Sequence, residues 1–155
     1  ASGYGLAASA VEGERRLISV TNGFSSAQKR SRGSARLLTW GFREFDNIKL
    51  AESGDDVGFV EVSSAKGGDV ALISKNDIKI TVTKAHKDKI KTKIILNQGI
   101  TAPFASNSII ARLEISIPKQ DKIYFDLLAK EDVKAVGLIG KFINFIIYLF
   151  SLIFS

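Results

Sequence analysis

The chain has 155 residues, enough for one ordinary domain or two small ones, and its 45% hydrophobic and 25% charged residues exclude a disordered protein. Its lack of cysteine excludes a disulfide framework and a thiolate metal site. The single histidine, His86, lies in a lysine-rich stretch without the residues of a metal cage or a catalytic triad nearby. We therefore expect no metal and no cofactor.

The basic residues do not follow a nucleic-acid-binding pattern. The net charge is +6, but residues 46–135 are nearly neutral. The densest basic run, residues 84–93, alternates lysine with apolar or small residues in its second half, which is typical of a half-buried strand with a solvated lysine face. We therefore expect no nucleic-acid partner.

The first predicted element is a β-hairpin. Two apolar runs, at residues 4–11 and 16–21, flank a short turn that contains Gly13. The small residues at positions 7–10 indicate that another element covers the first strand closely. Asn22 and Gly23 then end the second strand.

A helix is predicted to follow the hairpin. Ser25 is a suitable N-cap, and Gln28 three residues later completes a capping box. The predicted buried residues recur at steps of three and four: Ala27, Ser31, Ala35, Leu38, Phe42 and Phe45. We expect the helix to end at residues 40–45. A hairpin and one helix cannot bury their own apolar surface, which indicates the edge of a larger domain.

From residue 46 the sequence changes to short β-branched runs separated by turn residues. Alternation of apolar and polar residues is clearest at residues 78–82 and 109–117. The six predicted strands are residues 57–62, 70–74, 78–83, 89–96, 109–117 and 123–128. This spacing predicts a small all-β sandwich, followed by a charged linker at residues 129–135.

The C-terminal residues 136–155 are almost all large and apolar, and their few polar residues fall on one narrow stripe of a helix. We predict an amphipathic membrane-anchoring helix that lies in the interface with a lipid bilayer. Its lipid-facing residues are Leu138, Phe142, Phe145, Ile146, Leu149, Phe150 and Ile153. A spanning helix is the second alternative: 18 residues give about 27 Å, slightly less than the hydrocarbon core. A buried core helix is the third.

The pattern Ser-x-x-Lys, which places an amine beside a nucleophilic hydroxyl in penicillin-binding enzymes, occurs three times. The pairs are Ser26/Lys29, Ser63/Lys66 and Ser116/Lys119. The first is explained by helix capping, and the other two lie in or beside turns. A Lys-Thr-Gly strand is absent from the sequence. We assign no catalytic residue in this chain.

Two segments nevertheless resemble a known family. Residues 3–13 (GYGLAASAVEG) with residues 16–20 (RLISV) closely resemble the stretch after the Lys-Thr-Gly strand of serine-type D-alanyl-D-alanine carboxypeptidases, the low-molecular-mass penicillin-binding proteins. Residues 34–42 (SARLLTWGF) resemble their final helix. The later β-region and the terminal helix match the order and size of the family's elements, so the resemblance covers essentially the whole chain.

The resemblance implies an α+β protein in three parts. Residues 1–46 would be the incomplete C-terminal edge of a penicillin-binding/β-lactamase-like catalytic domain, residues 47–135 a β-sandwich spacer, and residues 136–155 the membrane anchor. The family's nucleophile, its lysine and its Lys-Thr-Gly lie before the segment seen here. One substrate-binding residue carries over: Arg30, at the position of the family arginine near the substrate's terminal carboxylate, with a solvated helix arginine as the alternative.

The implied function is removal of the terminal D-alanine from peptidoglycan stem peptides during cell wall biogenesis. The enzyme would be held peripherally at the periplasmic face of the bacterial cytoplasmic membrane, and this chain alone would be inactive. A different class stays open: a membrane-tethered β-domain that binds another envelope protein without enzymatic activity.

Overall fold

A computed structural model describes residues 3–136 of the chain. In chain order its elements are β1 (Tyr4–Glu12), β2 (Arg15–Phe24), α1 (Ala27–Glu44), β3 (Phe45–Ala51), β4 (Asp56–Glu61), β5 (Asp69–Ser74), β6 (Ile78–Thr83), a 3-10 helix (Lys84–Lys89), β7 (Lys91–Leu96), β8 (Ile109–Ser116) and β9 (Ile123–Ala129). The predicted α+β fold is confirmed in part: the described residues are mostly β-strand and include the predicted helix α1. Within residues 3–136, no helix is long and apolar enough to cross a membrane. The predicted anchor residues, Leu138 to Ile153, lie outside the described residues.

The chain divides into two compact units. The first unit combines the residues up to Ile48 with Lys79–Lys89, and the second combines Lys49–Ile78 with the residues from Ile90 onwards. The first therefore contains the hairpin, α1, the 3-10 helix and most of the two-stranded sheet that β3 forms with β6.

The predicted hairpin is present, with β1 and β2 antiparallel from Leu6 opposite Thr21 to Glu12 opposite Arg15. Gly13 in the connecting turn has φ 58°, a left-handed conformation that glycine adopts without steric cost. Alternate side chains are buried or half-buried, and the deepest of them is Ser19. α1 packs on the hairpin, as the small residues of β1 predicted.

The predicted start and buried face of α1 are each wrong by about one residue. Ser26, not Ser25, is the N-cap, and its Oγ accepts a hydrogen bond from the Lys29 amide. Ser31 and Ala35 are exposed, whereas Ser34 is buried. Apolar periodicity missed this face because its central residues are small and polar, as close helix packing requires.

The sequence did not predict β3, which follows α1 without any intervening turn. Phe45 has extended backbone angles, and its amide still donates to the Gly41 carbonyl oxygen. The lysine-rich run was also only partly correct. Its first half forms the 3-10 helix, and strand β7 begins at Lys91 rather than at residue 89.

The second unit is built on a five-stranded antiparallel sheet with strand order β4-β5-β9-β8-β7. The six predicted strands are present with bounds within two residues, but only five of them form this sheet, because the strand at residues 78–83 is β6 and pairs with β3. The buried apolar residues of the five strands are Val70, Leu72, Ile110, Ala111, Leu113, Ile115, Leu127 and Ala129. The two edge strands, β4 and β7, approach each other at Gly58 and Ile94. A Cβ atom added to Gly58 would lie 3.1 Å from the Cδ1 atom of Ile94.

Candidate functional site

Two glycines let α1 lie close against the hairpin. A Cβ atom on Gly33 would lie 2.4 Å from Cζ of Phe24, and one on Gly41 would lie 2.8 Å from Cδ1 of Leu17. Both distances are shorter than real carbon–carbon contacts, so a larger residue would force the Phe24 or Leu17 side chain, or the helix itself, to shift. A hydroxyl pair lies between them: Ser34 Oγ and Thr21 Oγ1 are 2.8 Å apart.

Arg30 lies in the first turn of α1, beside the start of β1. Its Nη1 atom donates to the Gly5 carbonyl oxygen at 3.4 Å, and its Cζ atom is 6.0 Å from the centre of the Tyr4 ring. The Nε atom is buried and has no hydrogen-bond partner among the described residues. A half-buried guanidinium with unused donors can bind both oxygens of a carboxylate. Arg30 therefore lies where it could hold such a group.

A second arginine, Arg15, closes the other end of α1. Its guanidinium donates to the carbonyl oxygens of Phe45 at 2.5 Å and Gly41 at 3.3 Å, and its Cζ atom lies 5.4 Å from the centre of the Phe42 ring. A cation at a helix C-terminus satisfies carbonyl groups that have no partner within the helix. We assign Arg15 a structural role.

The carboxylate of Asp46 completes this arrangement. It lies 3.8 Å from Arg15 and 3.3 Å from the ammonium of Lys87. The hydrogen bond from Lys87 lowers the pKa of Asp46.

The three Ser-x-x-Lys pairs do not form a catalytic contact within residues 3–136. Ser26 accepts from a backbone amide, and Ser116 Oγ donates to Glu114 at 3.4 Å. Ser63 and Lys66 are exposed in the turn after β4. His86 lies 3.1 Å from the Thr83 hydroxyl, and no cluster of metal-ligating residues occurs in the described part of the chain.

The hairpin surface opposite α1 is apolar and bare. Val11, Ile18 and Val20 point away from the helix and are 66%, 70% and 77% exposed. These residues were not predicted as a functional surface, although the sequence of β2 does carry a signal. Its residues 17–20 are all apolar or small, so both faces of the strand lack large polar side chains. This is typical of a strand covered on both faces.

In the second unit, Glu114 is buried in the middle of the sheet and is fully partnered. Lys122 Nζ lies 2.8 Å from its carboxylate, and the Tyr124 hydroxyl donates at 3.1 Å. The hydrogen bond from Lys122 is the main reason that the pKa of Glu114 is lowered. Because Lys122, Tyr124 and Ser116 all bind this carboxylate, we assign Glu114 a structural role.

Three segments meet at the end of the five-stranded sheet where β9 finishes: residues 62–68, 97–108 and 130–136. We call this the tail-end surface. The amide of Val136 donates to the Ser64 carbonyl oxygen at 2.9 Å, and the amide of Lys66 donates to the Lys134 carbonyl oxygen at 2.8 Å. These bonds tie the last described residues to the first segment.

The middle segment joins the same surface. Phe104 and Val133 exchange two backbone hydrogen bonds of 3.1 and 2.9 Å. The Ser106 amide donates to the Asp132 carboxylate at 2.8 Å and thereby lowers the pKa of Asp132. The tail-end surface is therefore one connected layer.

A cleft of about 350 Å³ opens at this surface. Its lining consists of Phe59, Lys66, Asp69, Val70, Ala71, Glu131, Asp132, Val133 and Lys134. No sequence pattern predicts this cleft, because Lys66 and Lys134 are separated by 67 intervening residues and only backbone pairing brings them together.

A family model described as "Penicillin-binding protein 5, C-terminal domain" matches residues 45–135. The D-alanyl-D-alanine carboxypeptidase DacD of Salmonella typhimurium is 31% identical over 90% of this chain and 36% of its own length. The DacA enzyme of Escherichia coli is 27% identical over 96% of this chain and 37% of its own length.

Solved structures agree with these relatives. The structure of penicillin binding protein 5 from Haemophilus influenzae matches with a TM-score of 0.70 at 30% identity, over 86% of this chain and 39% of that chain. The carboxypeptidase DacD from Francisella tularensis matches with a TM-score of 0.72 at 27% identity, over 87% and 34%. The chain thus spans little more than a third of these proteins. It belongs to the penicillin-binding protein 5 family of D-alanyl-D-alanine carboxypeptidases and corresponds to their C-terminal part.

Proposed function

We propose that this chain is the C-terminal portion of a serine-type carboxypeptidase that removes the terminal D-alanine from peptidoglycan stem peptides. The observation that carries the proposal is the extent of the matches. Relatives named D-alanyl-D-alanine carboxypeptidases align with 90% and 96% of this chain, so they extend well beyond the C-terminal domain at residues 45–135.

In this proposal the hairpin and α1 form the edge of a catalytic domain. The exposed face of Val11, Ile18 and Val20 supports it, since bare apolar patches on a protein surface mark places where another element or protein packs. The rest of the catalytic domain would cover this face. Serine, lysine and the Lys-Thr-Gly strand would come from that covering part.

Arg30 would bind the terminal carboxylate of the stem peptide. The support for this assignment is that the Nη1 atom of Arg30 makes a single long hydrogen bond, 3.4 Å to the Gly5 carbonyl oxygen, which leaves guanidinium donors for a carboxylate. Arg30 also lies on a regular helix that packs tightly on the hairpin, which keeps its position defined.

The second unit would act as a spacer, and residues 136–155 would anchor it at the periplasmic face of the cytoplasmic membrane. The support for anchoring is the sequence itself, in which large apolar residues recur on one wide helical face. A spacer between the anchor and the catalytic domain would lift the active site towards the cell wall.

A hybrid enzyme tests the proposal. The part of Salmonella typhimurium DacD that this chain does not match is joined to the start of this chain. We expect the hybrid to form a covalent adduct with labelled penicillin and to release D-alanine from D-Ala-D-Ala peptides, whereas the isolated chain does neither. A stoichiometric penicillin adduct on the isolated chain, or a folded hybrid without one, would contradict the proposal.

A further inference from the structure

Arg30 is held against the aromatic ring of Tyr4. Its Cζ atom lies over this ring, 6.0 Å from the centre, and its Nη1 atom donates to the Gly5 carbonyl oxygen at 3.4 Å. No carboxylate among residues 3–136 forms an ion pair with Arg30. Because the hydrogen bond is long, the guanidinium depends on the Tyr4 ring for its orientation.

An aromatic ring can orient a guanidinium without occupying its hydrogen-bond donors. The attraction comes from the negative face of the ring, so it requires no acceptor atom and leaves the N–H groups available. A neighbouring carboxylate would instead take two of the five donors and neutralise the charge. Tyr4 therefore suits an arginine whose fork of donors must stay open for the carboxylate of a ligand.

The backbone at this end of the hairpin turns Tyr4 towards α1. Tyr4 lies opposite Phe24, whose ring is so close to α1 that a Cβ atom on Gly33 would be 2.4 Å from it, and cross-strand partners share a face. With regular alternation Phe24 would share the face of Val20, which points away from the helix. A β-bulge next to this pair, in which Gly23 has φ 85°, reverses that alternation and places both rings beside the helix.

We propose that Tyr4 is a positioning residue, whose ring orients the guanidinium of Arg30 towards the terminal carboxylate of the stem peptide. This rests on the proposed function of Arg30 and adds the residue that sets the direction of its donors. The hydroxyl of Tyr4 makes no hydrogen bond to residues 3–136, so the ring is the part that acts. Phenylalanine should therefore replace Tyr4 in this role, and leucine, which lacks a ring, should not.

The contact itself can be measured by NMR in the full chain, which needs no enzymatic activity. Protons above the face of an aromatic ring resonate at low chemical shift, so we expect this of the Arg30 side chain in a chain with isotope-labelled arginine. Arg30→Gln identifies these signals by their disappearance. Tyr4→Phe should keep the low shift and Tyr4→Leu should abolish it; an unchanged shift in the leucine variant would overturn the proposal.

The effect on the reaction is measured in the hybrid enzyme. We expect Tyr4→Leu to raise KM for D-Ala-D-Ala peptides about 2- to 5-fold, the factor that an exposed cation–π contact supplies, while kcat changes less than about two-fold. Tyr4→Phe should keep the original KM. In an enzyme that already carries Arg30→Gln, Tyr4→Leu should have no further effect, because the ring acts only through the arginine.

The outcomes separate this proposal from the proposed role of Arg30. If Arg30→Gln leaves kcat/KM unchanged, the carboxylate role of Arg30 fails and its positioning by Tyr4 fails with it. If Arg30→Gln impairs the enzyme but Tyr4→Leu does not, only the positioning role is overturned. A loss from Tyr4→Leu that is equally large with and without Arg30→Gln, or that Tyr4→Phe shares, would also overturn it, because such a loss reports packing or the hydroxyl.

Discussion

At the scale of single residues, Arg15 in β2 and Arg30 in α1 show how one residue type takes different roles at the two ends of one helix. Arg15 donates hydrogen bonds to the carbonyl oxygens of Gly41 and Phe45 at the C-terminal end of α1. Arg30 makes one long hydrogen bond and keeps the rest of its guanidinium unused. The Nε atoms of both side chains are buried without a partner among residues 3–136, so the two arginines differ in their Nη atoms: those of Arg15 bind two carbonyl oxygens, whereas Arg30 makes a single long bond.

We expect Arg30→Gln, in the hybrid enzyme, to lower kcat/KM for D-Ala-D-Ala peptides about 10- to 100-fold, because a charge-assisted hydrogen bond to the substrate carboxylate is lost. Peptides whose terminal carboxylate is amidated should be equally poor substrates of the unchanged hybrid enzyme and of its Arg30→Gln variant. Arg32→Gln, on the exposed side of the same turn, is the matched control and should have little effect. An equal loss in both variants would show that Arg30 has no specific role.

Glu114 makes the stability of the second unit depend on pH. Lys122, Tyr124 and Ser116 hold its pKa below the usual value in the folded state, so the folded state binds this proton less readily than the unfolded chain. Its contribution to stability is present above the unfolded pKa of about 4.3 and disappears as the pH falls through the folded pKa. We expect Glu114→Gln to lower the urea midpoint at pH 7 and to have a smaller effect at pH 3.

Circular dichroism during urea unfolding measures this difference. Glu61→Gln is the control, because Glu61 is exposed at the end of β4 and lacks a partner among residues 3–136. An unchanged difference between the midpoints at pH 7 and pH 3 in the Glu114 variant would contradict the assignment.

At the scale of elements, the contact between α1 and the hairpin depends on residues too small to register as hydrophobic. Periodicity pointed to Ser31 and Ala35, but the helix turns Gly33 and Ser34 towards β2. An amphipathic pattern identifies the apolar face of a helix. A close contact between helix and hairpin instead requires the helix face with the smallest side chains. Capping residues predicted the start of the helix only to within one residue, since Ser26 rather than Ser25 is the N-cap.

Gly33→Ala tests this contact. An alanine usually stabilises a helix by about 1 kcal/mol relative to glycine. Here we expect a destabilisation of about 1–3 kcal/mol, because the added methyl would overlap the Phe24 ring. Ser31→Ala, on the exposed side, should be neutral or slightly stabilising. Combining Gly33→Ala with Phe24→Leu should recover stability, and the thermal midpoint of unfolding reports each change; a stabilised single variant would refute the close contact.

At the scale of the whole molecule, the chain carries two apolar features. One is the exposed apolar face of the hairpin in the first unit, and the other is the apolar sequence of residues 136–155. Both features are costly in water, and each is explained by a different missing neighbour. The first requires protein to cover Val11, Ile18 and Val20. In the proposed function, lipid covers the second, because residues 136–155 contain few polar side chains.

Removing residues 137–155 should abolish flotation with vesicles. Replacing Phe145 and Phe150 with Asp should weaken flotation strongly, since placing a charge in hydrocarbon costs about 2–3 kcal/mol per residue on insertion scales. Replacing Lys141 with Gln, on the polar edge, is the control and should have a smaller effect. A shortened chain that still floats would show that these residues are not the anchor.

What the sequence determined by itself is local: the hairpin, the predicted strands from residue 57 onwards, the existence of α1 and the family resemblance. These follow from alternation, turn residues and short motifs, which are properties of neighbouring residues. Only the tertiary structure decided that β3 pairs with β6, that Gly33 and Ser34 face the hairpin, and that Lys66 lies beside Lys134. Each of these depends on backbone bonds or close contacts between segments far apart in the chain, and no local pattern encodes such contacts.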